Sequence, residues 1–283
     1  MTILVTGSNG QLGSELRELS VHYPKHQFIF LDRESFSLEK EMSEEVFKKL
    51  KPGVFINCAA YTAVDKAEEE RELAMQVNGI APGKIAALCK KYGVKMIHIS
   101  TDYVFNGNAG LPFKEDDPTD PQNHYGFTKM EGERNVLKEN EESIIIRTSW
   151  VYSSYGKNFV KTMLRLFSEK KSINVVSDQV GSPTYAADLA EALMQIIESG
   201  KWEAGIYHYS NEGVTSWYEF AEEIKQLSGA SCTVHPIPTT AYPTPAKRPA
   251  FSVMDLGKIK LVYNIHPKNW KSSLRKCLGK LTN

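Results

Sequence analysis

Short apolar runs alternate with amphipathic stretches along the first 150 residues. Runs typical of buried strands fall at 2–6, 27–32, 53–60, 94–100 and 143–149. Apolar residues at helical spacing occupy the segments between them, at 11–20, 43–51, 68–91 and 124–138. Ser43 is the expected N-cap of the second helix. Because strand and helix alternate regularly, the pattern predicts an α/β fold with a Rossmann-type doubly wound parallel sheet.

The alternation becomes less regular after Trp150. Helices are predicted at 158–170, 186–198 and 216–228, and short strands at 173–176, 205–209 and 233–236. We therefore expect two domains, 1–150 and a smaller α/β domain at 151–283, with the chain crossing back between them. The proline-rich segment 236–252 also carries aromatic and basic residues. We interpret it as an ordered loop that faces a ligand.

Composition limits the classes of partner. The 283 residues include 34 Lys plus Arg and 34 Asp plus Glu, so the formal net charge is zero, which gives no broad attraction to nucleic acid or membrane. No apolar run is long enough to span a bilayer, and the N-terminus lacks the features of a signal peptide. The four cysteines lie far apart without a CxxC pair. We therefore expect a cytoplasmic protein with no metal site.

Glycines follow the first predicted strand. Gly7, Gly10 and Gly13 stand between that strand and the first helix, where they permit a tight turn, close approach of a pyrophosphate and helix–strand packing. Asp32 ends the second strand and can accept hydrogen bonds from an adenosine ribose, which favours NADH. The adjacent Arg33 can bind a 2′-phosphate, which favours NADPH. The sequence thus predicts a dinucleotide site in residues 1–150 and leaves NADPH or NADH open.

A possible acid–base site lies further along the chain. Tyr125 and Lys129 are four residues apart on a predicted helix, so their side chains share one face. A free phenol has a pKa of about 10, and a nearby ammonium lowers it. Thr101 ends the fourth strand at the same sheet edge and can hydrogen-bond the phenol or a substrate carbonyl. This arrangement predicts protonation of a carbonyl oxygen as a hydride arrives.

The proline-rich segment supplies adjacent cations. Lys247 and Arg248 stand beside prolines and near Tyr242. A nucleoside diphosphate needs cations for its phosphates and often an aromatic surface for its base. We therefore predict that Lys247 and Arg248 bind the substrate.

Together these residues resemble the extended, nucleotide-sugar branch of the short-chain dehydrogenase/reductases. The closest resemblance is to the dTDP-4-dehydrorhamnose reductase family. It rests on NCAAYTAVDKAE (57–68), HISTDYVFNG (98–107), YGFTKMEGE (125–133), IRTSWVY (146–152), NFVKTMLRL (158–166), DQVGSPT (178–184) and TTAYPTPAKRP (239–249). The resemblance implies NAD(P)H-dependent reduction of the 4-keto group of dTDP-6-deoxy-L-lyxo-4-hexulose, giving dTDP-L-rhamnose. It also implies a substrate-binding role for residues 151–283.

The resemblance also implies roles for single residues. Tyr125 is the proton donor, and Lys129 tunes it and holds the nicotinamide ribose. The implied phosphate and cofactor contacts are Gly10, Gln11, Leu12, Ala60, Tyr61, Thr62 and Ile99. The implied sugar contacts are Thr101, Asp102, Tyr125 and Trp150. Two positions depart from the family pattern, since Tyr61 replaces a histidine and Ser37-Leu38 replaces an acidic–apolar pair.

Two alternative functions remain open. One is another reductase or epimerase of nucleotide sugars, although Tyr103 stands where 4,6-dehydratases carry a glutamate. The other is a non-catalytic NADP-binding subunit similar to the regulatory subunit of methionine adenosyltransferase. Thr101, Tyr125 and Lys129 together favour catalysis over a binding role.

The resemblance bears on assembly as well. Some bacterial relatives are dimers that hold magnesium between subunits on acidic side chains. Glu15 matches one such position, whereas Ala187 stands at the second and the tail LRKCLGKLTN is basic. Because Mg²⁺ needs several oxygen ligands, we predict no shared magnesium site and a monomer or weak homodimer.

Overall fold

The computed structural model describes residues 1–39 and 44–282. Its strands are β1 Thr2–Thr6, β2 Gln27–Leu31, β3 Val54–Asn57, β4 Lys95–Thr101, β5 Ile144–Thr148, β6 Val151–Tyr152, β7 Ser172–Val176, β8 Val180–Gly181, β9 Thr184–Tyr185, β10 Gly205–His208, β11 Thr215–Ser216 and β12 Thr233–Ile237. Its α-helices are α1 Gln11–Leu19, α2 Glu45–Leu50, α3 Arg71–Met75, α4 Ala81–Tyr92, α5 His124–Glu139, α6 Phe159–Glu169, α7 Ala186–Glu198, α8 Trp217–Ser228, α9 Gly257–Tyr263 and α10 Trp270–Thr282.

A six-stranded parallel sheet forms the centre of the fold, in the order β2-β1-β3-β4-β5-β10. Alternate side chains of β1 enter different cores: Ile3 and Val5 pack with α1 and α7, whereas Leu4 packs with α4. Burial on both faces explains why these strands are continuously apolar in the sequence. The predicted doubly wound α/β fold is confirmed.

The strand β10 enters this sheet from the later part of the chain. It pairs in parallel with β5, and α7 packs against α1 in the same core. A second hydrophobic core gathers side chains from α6, α8, α10, β7 and β12. The helices and strands predicted after Trp150 are confirmed to within two residues.

The helical region predicted at 68–91 contains an irregularity. It consists of α3, a π-helical turn at Gln76–Ile80, and α4. Such a turn inserts an extra residue into the helical spacing and often lies at a functional site. The predicted N-cap Ser43 lies outside the described residues, and α2 begins at Glu45.

The proline-rich segment is fixed by bonds to distant parts of the chain. Phe251 forms a parallel bridge with Val180. The Asn123 side chain donates a hydrogen bond to the Lys247 carbonyl at 2.9 Å. These bonds bring the segment to the start of α5. Within residues 1–39 and 44–282, no helix combines the length and apolarity needed to cross a bilayer.

Candidate active site

A cavity of about 1090 Å³ opens at the carboxyl ends of the central strands. This edge is where ligands bind in open α/β sheets. The predicted site residues that line the cavity are Gly7, Gly10, Gln11, Leu12, Gly13, Asp32, Arg33, Ala60, Tyr61, Thr62, Ile99, Thr101, Asp102, Tyr125, Lys129 and Trp150. Its volume is at the upper end of the range for small-molecule sites. One cavity therefore gathers the predicted cofactor and catalytic residues.

The glycine loop fits tightly between β1 and β3. Gly7 has φ +66°, and a Cβ there would lie 2.7 Å from the Ala59 nitrogen. A Cβ on Gly13 would lie 2.3 Å from the Gly7 carbonyl oxygen. Gly10 is the N-cap of α1 and has no side chain to occupy the N–H groups of the first turn. Those groups and the helix dipole suit a phosphate, so this loop fits the pyrophosphate of a dinucleotide.

The loop after β2 carries charges of both signs. Asp32 Oδ1 accepts hydrogen bonds from the Ser35 nitrogen at 2.9 Å and the Ser35 hydroxyl at 2.7 Å. These bonds hold the pKa of the Asp32 carboxyl below its ordinary value, so it is ionised at neutral pH. The exposed Arg33 guanidinium forms an ion pair with Glu39. A 2′-phosphate would therefore compete with Glu39 for Arg33.

The loop after β3 is held by a residue that the sequence analysis missed. Asn78 lies in the π-helical turn, where its Oδ1 accepts from the Tyr61 nitrogen at 2.8 Å and its Nδ2 donates to the Tyr61 carbonyl at 3.0 Å. Asn78 is 1% exposed and also donates to the Thr128 hydroxyl on α5 at 3.2 Å. It thus links the cofactor loop to the helix of Tyr125. The only sequence signal is a polar residue in an otherwise apolar stretch.

Close backbone packing places Tyr125 against the end of β4. Asn123 caps α5 by accepting a hydrogen bond from the Gly126 nitrogen at 2.8 Å. A Cβ on Gly126 would lie 2.2 Å from the Tyr103 carbonyl oxygen, so glycine permits this approach. The rings of Tyr103 and Tyr125 meet edge to face at 5.7 Å. The helix start therefore presents Tyr125 beside Thr101.

Burial dominates the electrostatics of the phenol. It raises the pKa of Tyr125 well above the ordinary value, and a hydrogen bond with Thr101 opposes that rise. The sequence predicted a Tyr125 pKa lowered by Lys129, and this prediction is wrong for the structure as it stands. Desolvation of the phenolate outweighs the opposing effect. A protonated phenol is the form that a proton donor needs.

Lys129 is buried on the same helix, with 2% of its surface exposed. Its ammonium donates a hydrogen bond of 2.6 Å to the Ile99 carbonyl on β4. Burial lowers the pKa of Lys129 to about 8, and the negative charge of Glu133 opposes that shift. Arg147 donates to both Glu133 carboxylate oxygens, at 2.9 and 2.7 Å. Glu133 lies one helical turn from Lys129, and Arg147 holds its carboxylate in place there.

The predicted sugar contacts lie at the ends of β4 and β5. Asp102 is buried, and its Oδ1 accepts a hydrogen bond from the Thr101 hydroxyl at 2.9 Å. Burial raises the pKa of the Asp102 carboxyl to about 7. Trp150 has φ +47°, and its indole stacks on Trp217 with centroids 3.6 Å apart and planes at 9°. Trp217 lines the same cavity and was missed by the sequence analysis.

The two predicted phosphate ligands lie outside the residues that line the cavity. Arg248 Nη2 donates to Asp65 Oδ2 at 2.7 Å, and its Nη1 donates to the Tyr103 hydroxyl at 3.4 Å. Lys247 Nζ donates to Gln122 Oε1 at 3.2 Å. Arg248 therefore reaches the cavity through Tyr103, which lines it. Asp65, which the sequence analysis did not single out, fixes the guanidinium.

Known proteins match this chain over nearly its full length. The family described as RmlD substrate binding domain matches residues 1–283. The Bacillus subtilis spore coat polysaccharide biosynthesis protein SpsK is 42% identical over 278 residues, covering 98% of this chain and 96% of the relative. The dTDP-4-dehydrorhamnose reductase of Aggregatibacter actinomycetemcomitans is 42% identical over 284 residues, covering 96% and 97%.

Solved structures agree with the sequence relatives. The dTDP-4-dehydrorhamnose reductase of Bacillus anthracis, in complex with NADP, superposes with a TM-score of 0.95 at 36% identity and covers 99% of each chain. A glycine loop, a Tyr–Lys pair in the same cavity and a full-length match thus point to one assignment. This chain belongs to the RmlD substrate binding domain family.

Proposed function

We propose that this protein is a reductase that uses NADPH or NADH to reduce the 4-keto group of dTDP-4-dehydro-L-rhamnose to dTDP-L-rhamnose. The observation that carries the proposal is the meeting of Thr101, Tyr125 and Lys129 in the cavity that also holds the glycine loop. The names of the relatives from Aggregatibacter actinomycetemcomitans and Bacillus anthracis support the substrate.

The proposed chemistry divides between the cofactor and the chain. A bound nicotinamide cofactor supplies the hydride to the carbonyl carbon. The Tyr125 phenol donates its proton to the carbonyl oxygen, and the Thr101 hydroxyl stabilises the phenolate left behind. The Lys129 ammonium adds a positive charge close to that phenolate and offers donors to the ribose hydroxyls.

Binding of the sugar nucleotide is proposed at the neighbouring groups. Asp102 and Trp150 line the cavity and offer a carboxyl and an aromatic face to the sugar. Arg248 and Lys247 lie on the ordered proline-rich segment and supply positive charge for the diphosphate. We also propose that residues 1–150 mainly bind the cofactor and residues 151–283 the sugar nucleotide. The chain returns to the central sheet at β10, which pairs with β5.

The remaining finer features are proposals of the same kind. We propose a cytoplasmic protein, supported by four free cysteines, three of which are buried. We also propose a monomer or a weak homodimer without shared magnesium, supported by the contacts of Lys280 with Glu15 and Glu18.

A spectrophotometric assay tests the reaction. Purified protein is mixed with the 4-keto sugar nucleotide and either NADPH or NADH, and the product is identified by NMR. We expect oxidation of the cofactor with formation of an equal amount of dTDP-L-rhamnose. An epimerase would convert the sugar without net oxidation, and a regulatory subunit would bind the cofactor without turnover. Either of those results would contradict the proposal.

A further inference from the structure

The segment between β5 and β6 holds a tryptophan in an unusual backbone conformation. Trp150 has φ +47°, a left-handed region that bulky L-residues rarely adopt. Thr148, two residues earlier, pairs with Thr101 of β4. The left-handed residue therefore stands at the sheet edge that carries the proposed catalytic threonine. Strained residues that persist at such edges are held by their surroundings and often have a functional role.

One neighbour leaves space for the Trp150 ring. A Cβ on Gly181 would lie 2.7 Å from Cε2 and 2.8 Å from Cζ2 of Trp150, so the edge of the indole packs against glycine backbone. The Trp150 carbonyl also accepts a hydrogen bond from the Thr184 nitrogen at 3.2 Å. These contacts fix the backbone and one edge of the ring, and they leave a ring face for another partner.

Trp217 covers one face of that ring. The two indoles stack 3.6 Å apart with planes at 9°, close to full overlap. Trp217 is the first residue of α8, where Ser216 and Glu219 form a reciprocal capping box that fixes the helix start. Phe159 also packs on Trp217, with ring centroids 4.6 Å apart and planes tilted at 50°. Trp217 therefore has a rigid backbone and a rigid neighbour, which makes it a firm support for Trp150.

We propose that Trp217 is a positioning residue that holds the Trp150 indole against the sugar-binding part of the cavity. Both rings line the cavity, so the stack is next to the ligand and is not confined to the core. Without the stack, one face of the Trp150 indole would lose its support, and the ring could tilt about the edge that Gly181 contacts. The sugar would then lose its aromatic wall, and its carbonyl would be poorly aligned with Tyr125. This inference rests on the proposed function, because it assigns the bound sugar to this wall.

Three variants separate positioning from general stability. Trp217→Phe keeps an aromatic ring, Trp217→Leu keeps apolar volume without a stack, and Trp217→Ala removes both. We expect the Leu and Ala variants to raise the KM for the sugar nucleotide about 3- to 10-fold, the range for loss of an aromatic pair. Their kcat should also fall, while the Kd of NADPH stays unchanged. Trp217→Phe should recover most of the lost KM.

Circular dichroism provides a readout that needs no substrate. Two stacked indoles couple their electronic transitions and produce a paired band of opposite signs in the far ultraviolet. We expect this band in the wild type and its loss in all three Trp217 variants. Trp202→Phe is the matched control, since Trp202 lies elsewhere and bonds to the Glu142 carbonyl. That variant should keep the band and the KM.

The outcomes are distinguishable. A wild type without the paired band, or a folded Trp217→Leu variant with unchanged KM, would overturn the positioning role. If Trp217→Ala fails to fold, the Leu variant decides. A wild type that shows the band but does not turn over the sugar nucleotide would overturn the proposed function instead.

Discussion

At the scale of single residues, the proposed chemistry depends on one phenolic proton. Tyr125→Phe removes that proton and preserves the ring that meets Tyr103 edge to face. We expect kcat to fall about 10²- to 10⁴-fold, the usual contribution of general acid catalysis. The Kd of NADPH and the Tm should change little. Steady-state kinetics measures kcat, cofactor fluorescence measures the Kd of NADPH, and thermal unfolding measures the Tm.

Tyr92→Phe is the control for this prediction, because that phenol bonds to Glu44 at the end of α4. Its kcat should match the wild type. A Tyr125→Phe enzyme with near-normal kcat would remove Tyr125 from the role of proton donor.

Lys129 gives a pH-dependent prediction. Because burial lowers its pKa to about 8, it loses its positive charge as the pH rises through that value. We expect the wild-type rate to decline above about pH 8. Lys129→Met should lower kcat and cofactor affinity, and it should shift the remaining pH profile upward. A positive charge in the same site favours the phenolate, so its removal should raise the pKa of the Tyr125 phenol further.

The profile is measured as kcat/KM from pH 5 to pH 10, with the exposed Lys138→Met on the same helix as the control. Equal profiles and equal NADPH affinity for wild type and Lys129→Met would show that Lys129 neither tunes the phenol nor holds the cofactor.

At the scale of elements, the loop after β2 governs the choice of cofactor. Asp32 is ionised and can accept from a ribose hydroxyl, whereas Arg33 pairs with Glu39 and can exchange it for a 2′-phosphate. We expect the wild type to accept both NADH and NADPH. Arg33→Ala should weaken NADPH more than NADH, by about tenfold for a charge-assisted contact.

Titrations of protein fluorescence with each cofactor give the two Kd values. Lys49→Ala, which removes an exposed cation on α2, should leave both unchanged. An equal loss of affinity for the two cofactors would mean that Arg33 does not meet the 2′-phosphate.

The strands of the central sheet were predictable because each is a local apolar run, whereas the two-residue strands β6, β8, β9 and β11 are too short to give such a pattern. The glycine loop and Tyr125 were predictable because their chemistry lies in short motifs. The π-helical turn that places Asn78 is different, since helical periodicity does not show where an extra residue enters the spacing. The ion pair of Asp65 with Arg248 joins residues 183 positions apart, and only the folded chain brings them together. The same holds for the stack of Trp150 on Trp217.

At the scale of the whole molecule, the prediction of no shared magnesium site depends on the surroundings of Glu15. Lys280 on α10 donates to Glu18 at 2.7 Å and to the buried Glu15 at 3.4 Å. Ser153 donates to the other Glu15 oxygen at 2.6 Å. Lys280 thus compensates part of the negative charge of Glu15 and Glu18 within one chain. We therefore predict that activity does not depend on added magnesium and that the protein is a monomer or a weak homodimer without a shared magnesium ion.

Light scattering and activity assays with EDTA or magnesium test this prediction. We expect the same mass and the same kcat under both conditions. Lys280→Glu is an additional variant. It places a third carboxylate beside Glu15 and Glu18 and should lower the Tm in EDTA. A wild-type dimer that dissociates and loses activity on chelation would contradict the prediction.

The late position of β10 in the sequence also affects folding of the chain during synthesis. The neighbouring strand β5 is buried along its whole length, and its outer edge pairs with residues 205–208. When residues 1–150 have left the ribosome and β10 has not yet been synthesised, the apolar strand β5 lacks a partner at its outer edge. Bare edges of this kind recruit other chains. A fragment ending at 150 should therefore aggregate during expression, whereas the full chain protects this edge once residue 208 has emerged.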